Sequence, residues 1–519
     1  MKVVTVEQMQ ELEAQASKAG VSVDALMEKA GLAVADHAIQ RLGSPRGARV
    51  LVLVGPGNNG GDGLVAARYL HQWGARVQIY LCAPRKSPDP NLTMAEERGI
   101  PVIDVASDSG LELLKRQTAA TSLIIDAVLG TGKVRPLEGQ MRNVLLQVAV
   151  ARQQQKKPVL AVDLPTGLDA DSGALDPACP GADVTVALGY PKVGHLTFPG
   201  ASATGRLEIA DIGIPPNLDS AITLDLVTPE LMRSLLPSRP IEAHKGTFGR
   251  TLVIAGSRNY VGASFLACSG AYRAGAGLVT LATPKGVYPI LATKLTEAIY
   301  MPLPETWNGS ITAQAAEVVQ EALSGYASLV IGCGLSQEAE TQQFILQVLL
   351  DNPSRAQVPA VLDADALNAL AQVKEWPPHL QAKVVLTPHP GEMARLTGIT
   401  TEQVQERRLD VAREAAREWG QVVVLKGAFT IIASPEGLTR ISPFANPGLA
   451  SAGTGDVLAG IIGGLLSQGL SPWDAATCGV YLHAAAAEEL RQQLGDAGLI
   501  ASDLLPEIPR RIKALKQSA

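Results

Sequence analysis

Residues 49–74 read RVLVLVGPGNNGGDGLVAARYLHQWG: an unbroken apolar run, a glycine-rich turn and a helix. A short, continuously apolar strand bounded by a turn and a helix is buried on both faces, as in a parallel sheet covered by helices. The same alternation continues through VQIYLC, LIIDAVLG, PVLAVDLPTG and ADVTVALG. The reading is therefore α/β. Gly55, Gly57 and Gly60 satisfy Gly-x-Gly-x-x-Gly just before the helix, where exposed backbone N–H groups attract anions. A nicotinamide dehydrogenase also needs an acid after the second strand to hold the ribose, and LCAPRK stands there instead. The dinucleotide fingerprint fails that second test.

The chain has 519 residues, too many for one core, and two domains are expected, 1–225 and 226–519. Apolar residues make up 46% and charged residues 18%, which excludes a disordered chain. The net charge is −6, with no basic cluster to follow a nucleic-acid backbone. Five dispersed cysteines, without metal spacing, suggest free thiols in a reducing compartment. MKVVTVEQMQELEAQ turns polar before any signal-like run, and VLAGIIGGLL is too short to span a bilayer, so a cytoplasmic protein with no membrane or nucleic-acid partner is expected.

A helical preface precedes the first strand. Thr5 and Gln8 have capping-box spacing, and Leu26, Ala30, Val34 and Ala38 share one helix face. The proline-bearing stretch 212–249 reads as a connection. After it the alternation restarts with RTLVIAGS, LVTLATP, SLVIGCG, PAVLDAD, KVVLTPHPGE, QVVVLKG and TIIASP.

In the first half Asp62 sits where the helix begins and reads as a cap for its amides, leaving Asn58 and Asn59 free. Asp126 and Asp163 end two further strands, and Thr166 follows. Side chains at carboxyl ends of parallel strands meet in one crevice, and oxygen donors without His or Cys suit a hard cation. GTGKVRP, after Asp126, is a second glycine turn suited to a phosphate-bearing ligand.

GPGNNGGDG, DAVLGTG and AVDLPTGLD together resemble the epimerase domain of the NAD(P)H-hydrate repair enzymes over roughly residues 1–220. The resemblance implies a Rossmann-like three-layer α/β/α domain that interconverts the configurations at carbon 6 of a hydrated nicotinamide. It implies potassium held by Asn59, Asp126 and Thr166. Substrate would be lined by Asn58, Asn59, Gly60, Gly61 and Asp62 and by Gly130, Thr131, Gly132, Lys133, Val134, Arg135 and Pro136, with Asp163 facing the nicotinamide. Moving protons at a carbinolamine carbon needs a poised carboxylate, and Asp163 is the candidate.

In the second half NPGLASAGTGDVLAGIIGGLL (446–466) puts Gly453–Gly455 and Asp456 at the start of an apolar helix. Helix-start amides gather the charge of a transferring phosphoryl group, and a carboxylate beside them can take the proton of an attacking hydroxyl. Lys426 and Gly427 end one strand, Asp363 and Asp365 another, and His389 to Glu392 form a turn before a helix, where His389 is either a cap or a ligand contact. There is no Gly-x-x-x-x-Gly-Lys-Ser/Thr motif, so this is no P-loop enzyme.

KGTFGRTLVIAGS, YVGASFLA, YRAGAGLVT, PHPGE, LKGAFTII and SAGTGD resemble, in order, the ribokinase-like superfamily and more narrowly the NAD(P)H-hydrate dehydratases, across nearly residues 228–515. The resemblance implies an α/β/α domain in which Ala263, Gly334, His389 and Asp456 contact the hydrate. Lys426, Gly427, Ala428, Phe429, Thr430 and Gly455 would contact an adenine nucleotide, ADP or ATP. Magnesium is expected to bridge the phosphates, with Glu392 the nearest acid. Family members often read Gly-Pro-Gly-Leu-Gly where this chain has GCGLS, with Cys333 and Ser336.

The implied function is repair of NADHX and NADPHX by epimerisation and nucleotide-dependent dehydration, in a homo-oligomer. The alternative is a ribokinase-like small-molecule kinase fused to a non-catalytic Rossmann-like scaffold.

Overall fold

A computed structural model describes residues 1–132, 136–351, 358–380 and 382–517. The chain divides into two compact units, Met1–Ile222 and Thr223–Ala519.

The first unit is built on seven strands: β1 (Arg49–Val54), β2 (Arg76–Leu81), β3 (Val102–Asp104), β4 (Leu123–Ala127), β5 (Val159–Val162), β6 (Val184–Leu188) and β7 (Arg206–Ala210). Their order is β3-β2-β1-β4-β5-β6-β7, parallel throughout. Val50, Val52 and Val54 pack into the core on one face of the sheet, and Leu51 and Leu53 into that on the other. That two-sided burial is why β1 reads as continuous hydrophobicity. Helix Val6–Lys18 begins with the expected Thr5–Gln8 capping box, and Leu26, Ala30, Val34 and Ala38 are buried on helix Val23–Leu42.

The second unit has ten strands: β8 (Leu224–Leu226), β9 (Arg250–Ile254), β10 (Leu278–Pro284), β11 (Ile299–Leu303), β12 (Ser328–Ile331), β13 (Ala360–Leu362), β14 (Val384–Leu386), β15 (Val422–Leu425), β16 (Ile431–Ala433) and β17 (Thr439–Ile441). The order is β11-β10-β9-β12-β13-β14-β15-β16-β17-β8. Pairing is parallel from β11 to β15, then antiparallel through the hairpin β16–β17. The stretch 212–249 does more than connect: Leu224–Leu226 forms the edge strand beside β17, and Pro229–Leu235 is helical. The apolar helix Thr454–Ser467 is buried almost throughout, since Gly460 lets it approach the helix Val261–Ala274; a Cβ there would lie 2.0 Å from Ala267 O.

Candidate active sites

In the first unit the strand order reverses between β1 and β4, which opens a crevice at their carboxyl ends. The two turns touch: a Cβ on Gly55 would lie 1.8 Å from Val128 O, so only glycine fits. The helix Asn58–Gln72 follows with Gly57 as its N-cap and no side chain bonded to the cap. Asp62 therefore does not cap the helix as its position in the sequence suggests. It stands a turn further in, buried, on the wall of a cavity of about 860 Å³. Burial, reinforced by Asp163 and Glu13, pushes its carboxyl well above the usual range.

Asn58, Asn59, Gly130, Thr131, Gly132, Pro136 and Asp163 line the same cavity. Gly60 and Gly61 do not; they are packed behind it, Gly60 against Gly55 and Arg85, Gly61 against Met27. Lys133, Val134 and Arg135 lie outside the described residues. The helical preface supplies part of the wall through Met9, Glu13, Leu26 and Met27, and burial raises the Glu13 carboxyl. Arg85 donates to the carbonyls of Gly55 and Gly57, tying down the glycine turn.

Asp126 is fully buried, which raises its pKa, and it accepts from Thr166 Oγ1 at 2.7 Å and from Thr166 N at 2.8 Å. Thr166 Oγ1 in turn accepts from Leu129 N at 3.0 Å, joining β4, its turn and the loop after β5. Asn59 packs on Gly130, and its side-chain nitrogen is buried without a partner among the described residues. The Asn59 Oδ1 beside Gly130, the Thr166 hydroxyl and the Asp126 carboxylate, gathered around the turn after β4, form an oxygen donor set that a hard cation fits.

Asp163 follows β5 with φ +63°, a left-handed conformation strained for a non-glycine residue. Its Oδ1 accepts from Leu188 N at 2.9 Å and from the ammonium of Lys192, which is completely buried and also donates to Leu188 O. His195 completes the support: Nδ1 accepts from Lys192 N, and Nε2 lies 2.8 Å from Asp163 O. Burial lowers its pKa to about 4, so the ring is neutral and Nε2–H donates to Asp163. Lys192 and His195 were not anticipated. Their signal is the YPKVGH turn after β6, a buried lysine and histidine placed where neighbouring strands end.

In the second unit the strand ends of β12, β13, β14 and β15 converge. Lys426, after β15, donates to Asp363 Oδ1 at 2.7 Å, and Thr387, after β14, donates to the same oxygen at 2.7 Å. Burial opposes the Lys426 ammonium, yet Asp363 and Glu392 outweigh it and raise its pKa. Gly453, at φ +87°, is the N-cap of helix Thr454–Ser467, so Asp456 is no cap either. A Cβ on Gly455 would lie 3.4 Å from Lys426 Nζ and 3.8 Å from Asp363 Oδ2, which places the helix-start amides beside the lysine. Burial, then Asp363, pushes the Asp456 carboxyl up to about 7.

His389 is a helix cap: its Nδ1 accepts from Gly391 N and Glu392 N, and Glu392 Oε2 returns a bond from His389 N at 2.8 Å. Half of its side chain remains exposed, so its outer edge can still meet a ligand. Glu392 closes that box through Oε2, which also lies 3.8 Å from Lys426 Nζ. Ala263 and Gly334 touch, a Cβ on Gly334 lying 2.8 Å from Ala263 Cβ. Ser336 has φ +79°, the conformation a glycine would take, and is held there by Asp365 through its N–H and by Ser310 through its hydroxyl. Lys426 to Thr430 form a tight turn with Gly427 and Phe429 both at positive φ, buttressed by Arg408 on the carbonyls of Leu425 and Lys426. Gly427 and Ala428 are exposed.

A doubly covered parallel unit with a carboxylate–lysine pair in its crevice, and a second unit with a carboxylate beside helix-start amides and a lysine, define a two-site α/β enzyme. The comparisons agree. A family model described as NAD(P)H-hydrate dehydratase matches residues 251–510, and one described as YjeF-related protein N-terminus matches residues 23–194. The bifunctional NAD(P)H-hydrate repair enzyme Nnr of Moorella thermoacetica is 43% identical over 95% of this chain and 93% of its own. That of Thermofilum pendens is 37% identical over 100% and 97%. The ADP/ATP-dependent NAD(P)H-hydrate dehydratase of Bacillus subtilis, co-crystallised with ATP/Mg2+, superposes with TM-score 0.50 at 36% identity, covering 57% of this chain and 100% of that one. The chain belongs to the family of bifunctional NAD(P)H-hydrate repair enzymes.

Proposed function

We propose that the first unit, 1–225 by the sequence reading, epimerises the hydrates NADHX and NADPHX, and that the second, 226–519, dehydrates one epimer at the expense of ADP or ATP. The observation that carries this reading is the pairing of two separate carboxylate sites, Asp163 with Lys192 and Asp456 with the Gly453–Gly455 turn, in one chain of this family.

In the first unit Asp163, held by Lys192 and Leu188 N, is the proton-transferring carboxylate, and Asp62 and Glu13 face the same cavity. Asn59, Asp126 and Thr166 would hold potassium, which supplies fixed positive charge near the ligand's phosphates. Asn58, Thr131 and the glycine turns line the ligand.

In the second unit Asp456 takes the proton from the ring hydroxyl as that oxygen bonds to the terminal phosphorus and the bond to the departing nucleotide breaks. The C6–O bond then breaks with the N1 lone pair filling in, phosphate leaves, and loss of a C5 proton restores the dihydropyridine. Lys426 and the Gly455 amide receive phosphate oxygens, with magnesium accompanying the nucleotide. Lys426 to Thr430 hold the nucleotide, and Ala263, Gly334 and His389 the hydrate. Incubating the hydrate with nucleotide tests the reading: inorganic phosphate and the absorbance of reduced nicotinamide should appear together. A stable phosphomonoester instead would favour the small-molecule kinase.

A further inference from the structure

One side chain of the second site has no place in that mechanism. Cys333 follows β12 and is fully buried, with Sγ 3.9 Å from Asp363 Oδ2. The ligand atoms of Cys333, Asp363 and Asp456 all lie within 4.8 Å of one another. The thiol is thus beside both carboxylates, one of them paired with Lys426.

Its backbone is pinned on both sides. Gly332 has φ +125° and packs so closely on the next strand end that a Cβ would lie 1.8 Å from Asp363 O. Cys333 O accepts from Gly256 N at 2.9 Å. The backbone that carries the thiol is therefore fixed by the sheet end.

We propose that Cys333 is a positioning residue for dehydration: its single S–H, 3.9 Å from Asp363 Oδ2 and within reach of Asp456, turns to Asp456 and keeps that acid beside the Gly453 turn in the ionised form that accepts a proton. This rests on the reading of Asp456 as the base. Asp456 Oδ2 lies 3.8 Å from where a Gly453 Cβ would stand, so the acid is next to the helix-start amides. Facing it are Asp363 and Asp365 from the end of β13, Lys426 from β15 and Cys333 from β12, with Glu392 beyond the lysine. Burial and the two aspartates favour its neutral form; Lys426 and the thiol are the groups opposing them. Deleting the thiol removes one of the two.

The test is the pH profile of nucleotide-dependent dehydration by the full chain, wild type against Cys333→Ala and Cys333→Ser, with nucleotide binding by the same molecules as the check that the second unit is folded. Cys333→Ala should move the acidic limb up by about half a pH unit or more, so that activity falls several-fold near neutrality and recovers at alkaline pH. Cys333→Ser, a stronger donor, should leave the limb at or below the wild-type position. Should Cys333→Ala fail to fold, Cys333→Val, which equally lacks a donor, takes its place with the same expected shift. Identical limbs in all three, or a serine limb above the wild type, overturn the proposal. A wild type that performs no dehydration refutes the reading of the site instead.

Discussion

Lys192 donates its fully buried ammonium to Oδ1 of Asp163, so the candidate base of the first unit and its counter-charge come from the ends of two neighbouring strands. Removing one member of such a pair leaves the other charged in a low-dielectric setting, at a cost of about 3–5 kcal/mol. Lys192→Met is expected to lower the stability of the first unit by that order and to cut epimerisation at least about 100-fold. Denaturant titration and the rate of configurational exchange measure the two.

The Asp456 carboxyl, raised by burial to about 7, gives a pH dependence of opposite sign for activity and for stability. Its folded pKa exceeds the unfolded one, so its stabilising influence is present at low pH and lost as pH rises through about 7. Asp456→Asn should therefore make the chain more resistant to heat at pH 8, with the advantage fading toward pH 4, while abolishing dehydration at every pH. Thermal unfolding at several pH values checks this; an asparagine variant that is less stable at pH 8 than the wild type contradicts it.

A Cβ on Gly455 would stand in ordinary contact, 3.4 Å, with the Lys426 ammonium, and so occupy space that a phosphate oxygen bound between them would need. Gly455→Ala is expected to raise the KM for nucleotide about tenfold or more and to leave epimerisation untouched. Steady-state kinetics of both reactions provide the comparison.

Much of this was legible in the sequence because α/β sheets write themselves as buried apolar runs ending in polar residues. β1, β4, β5, β13 and β15 each deliver a charged or polar group to a site, and all were visible. β3, β7, β8, β11 and β17 were not: they lie at or next to the sheet edges and are only partly buried, as in Val102–Asp104 and Arg206–Ala210, so they lack the continuous apolar run of the central strands. Asp62 was misplaced because the helix starts at Asn58, five residues earlier than a capping Asp62 would require. Lys192, His195 and Glu13 stayed hidden for a different reason. Each acts through a partner distant in sequence, and a buried lysine is recognisable only once its carboxylate is placed beside it.

Asn59, whose side-chain oxygen faces Gly130 in the turn after β4, should make the first unit responsive to potassium. The unfolding midpoint of the wild type is expected to rise in potassium chloride relative to lithium chloride, and that of Asn59→Ala to rise less. A response equal in both proteins would place the cation elsewhere.

The division of labour between Asp163 and Asp456 is tested most directly by giving a mixture of both hydrate epimers to the wild type, Asp163→Asn and Asp456→Asn, with and without nucleotide, and following each epimer by chromatography. The wild type should consume both epimers with nucleotide; Asp163→Asn should consume one and leave the other to its slow spontaneous exchange; Asp456→Asn should equilibrate them and dehydrate neither. Loss of both reactions in either variant would contradict two separate sites.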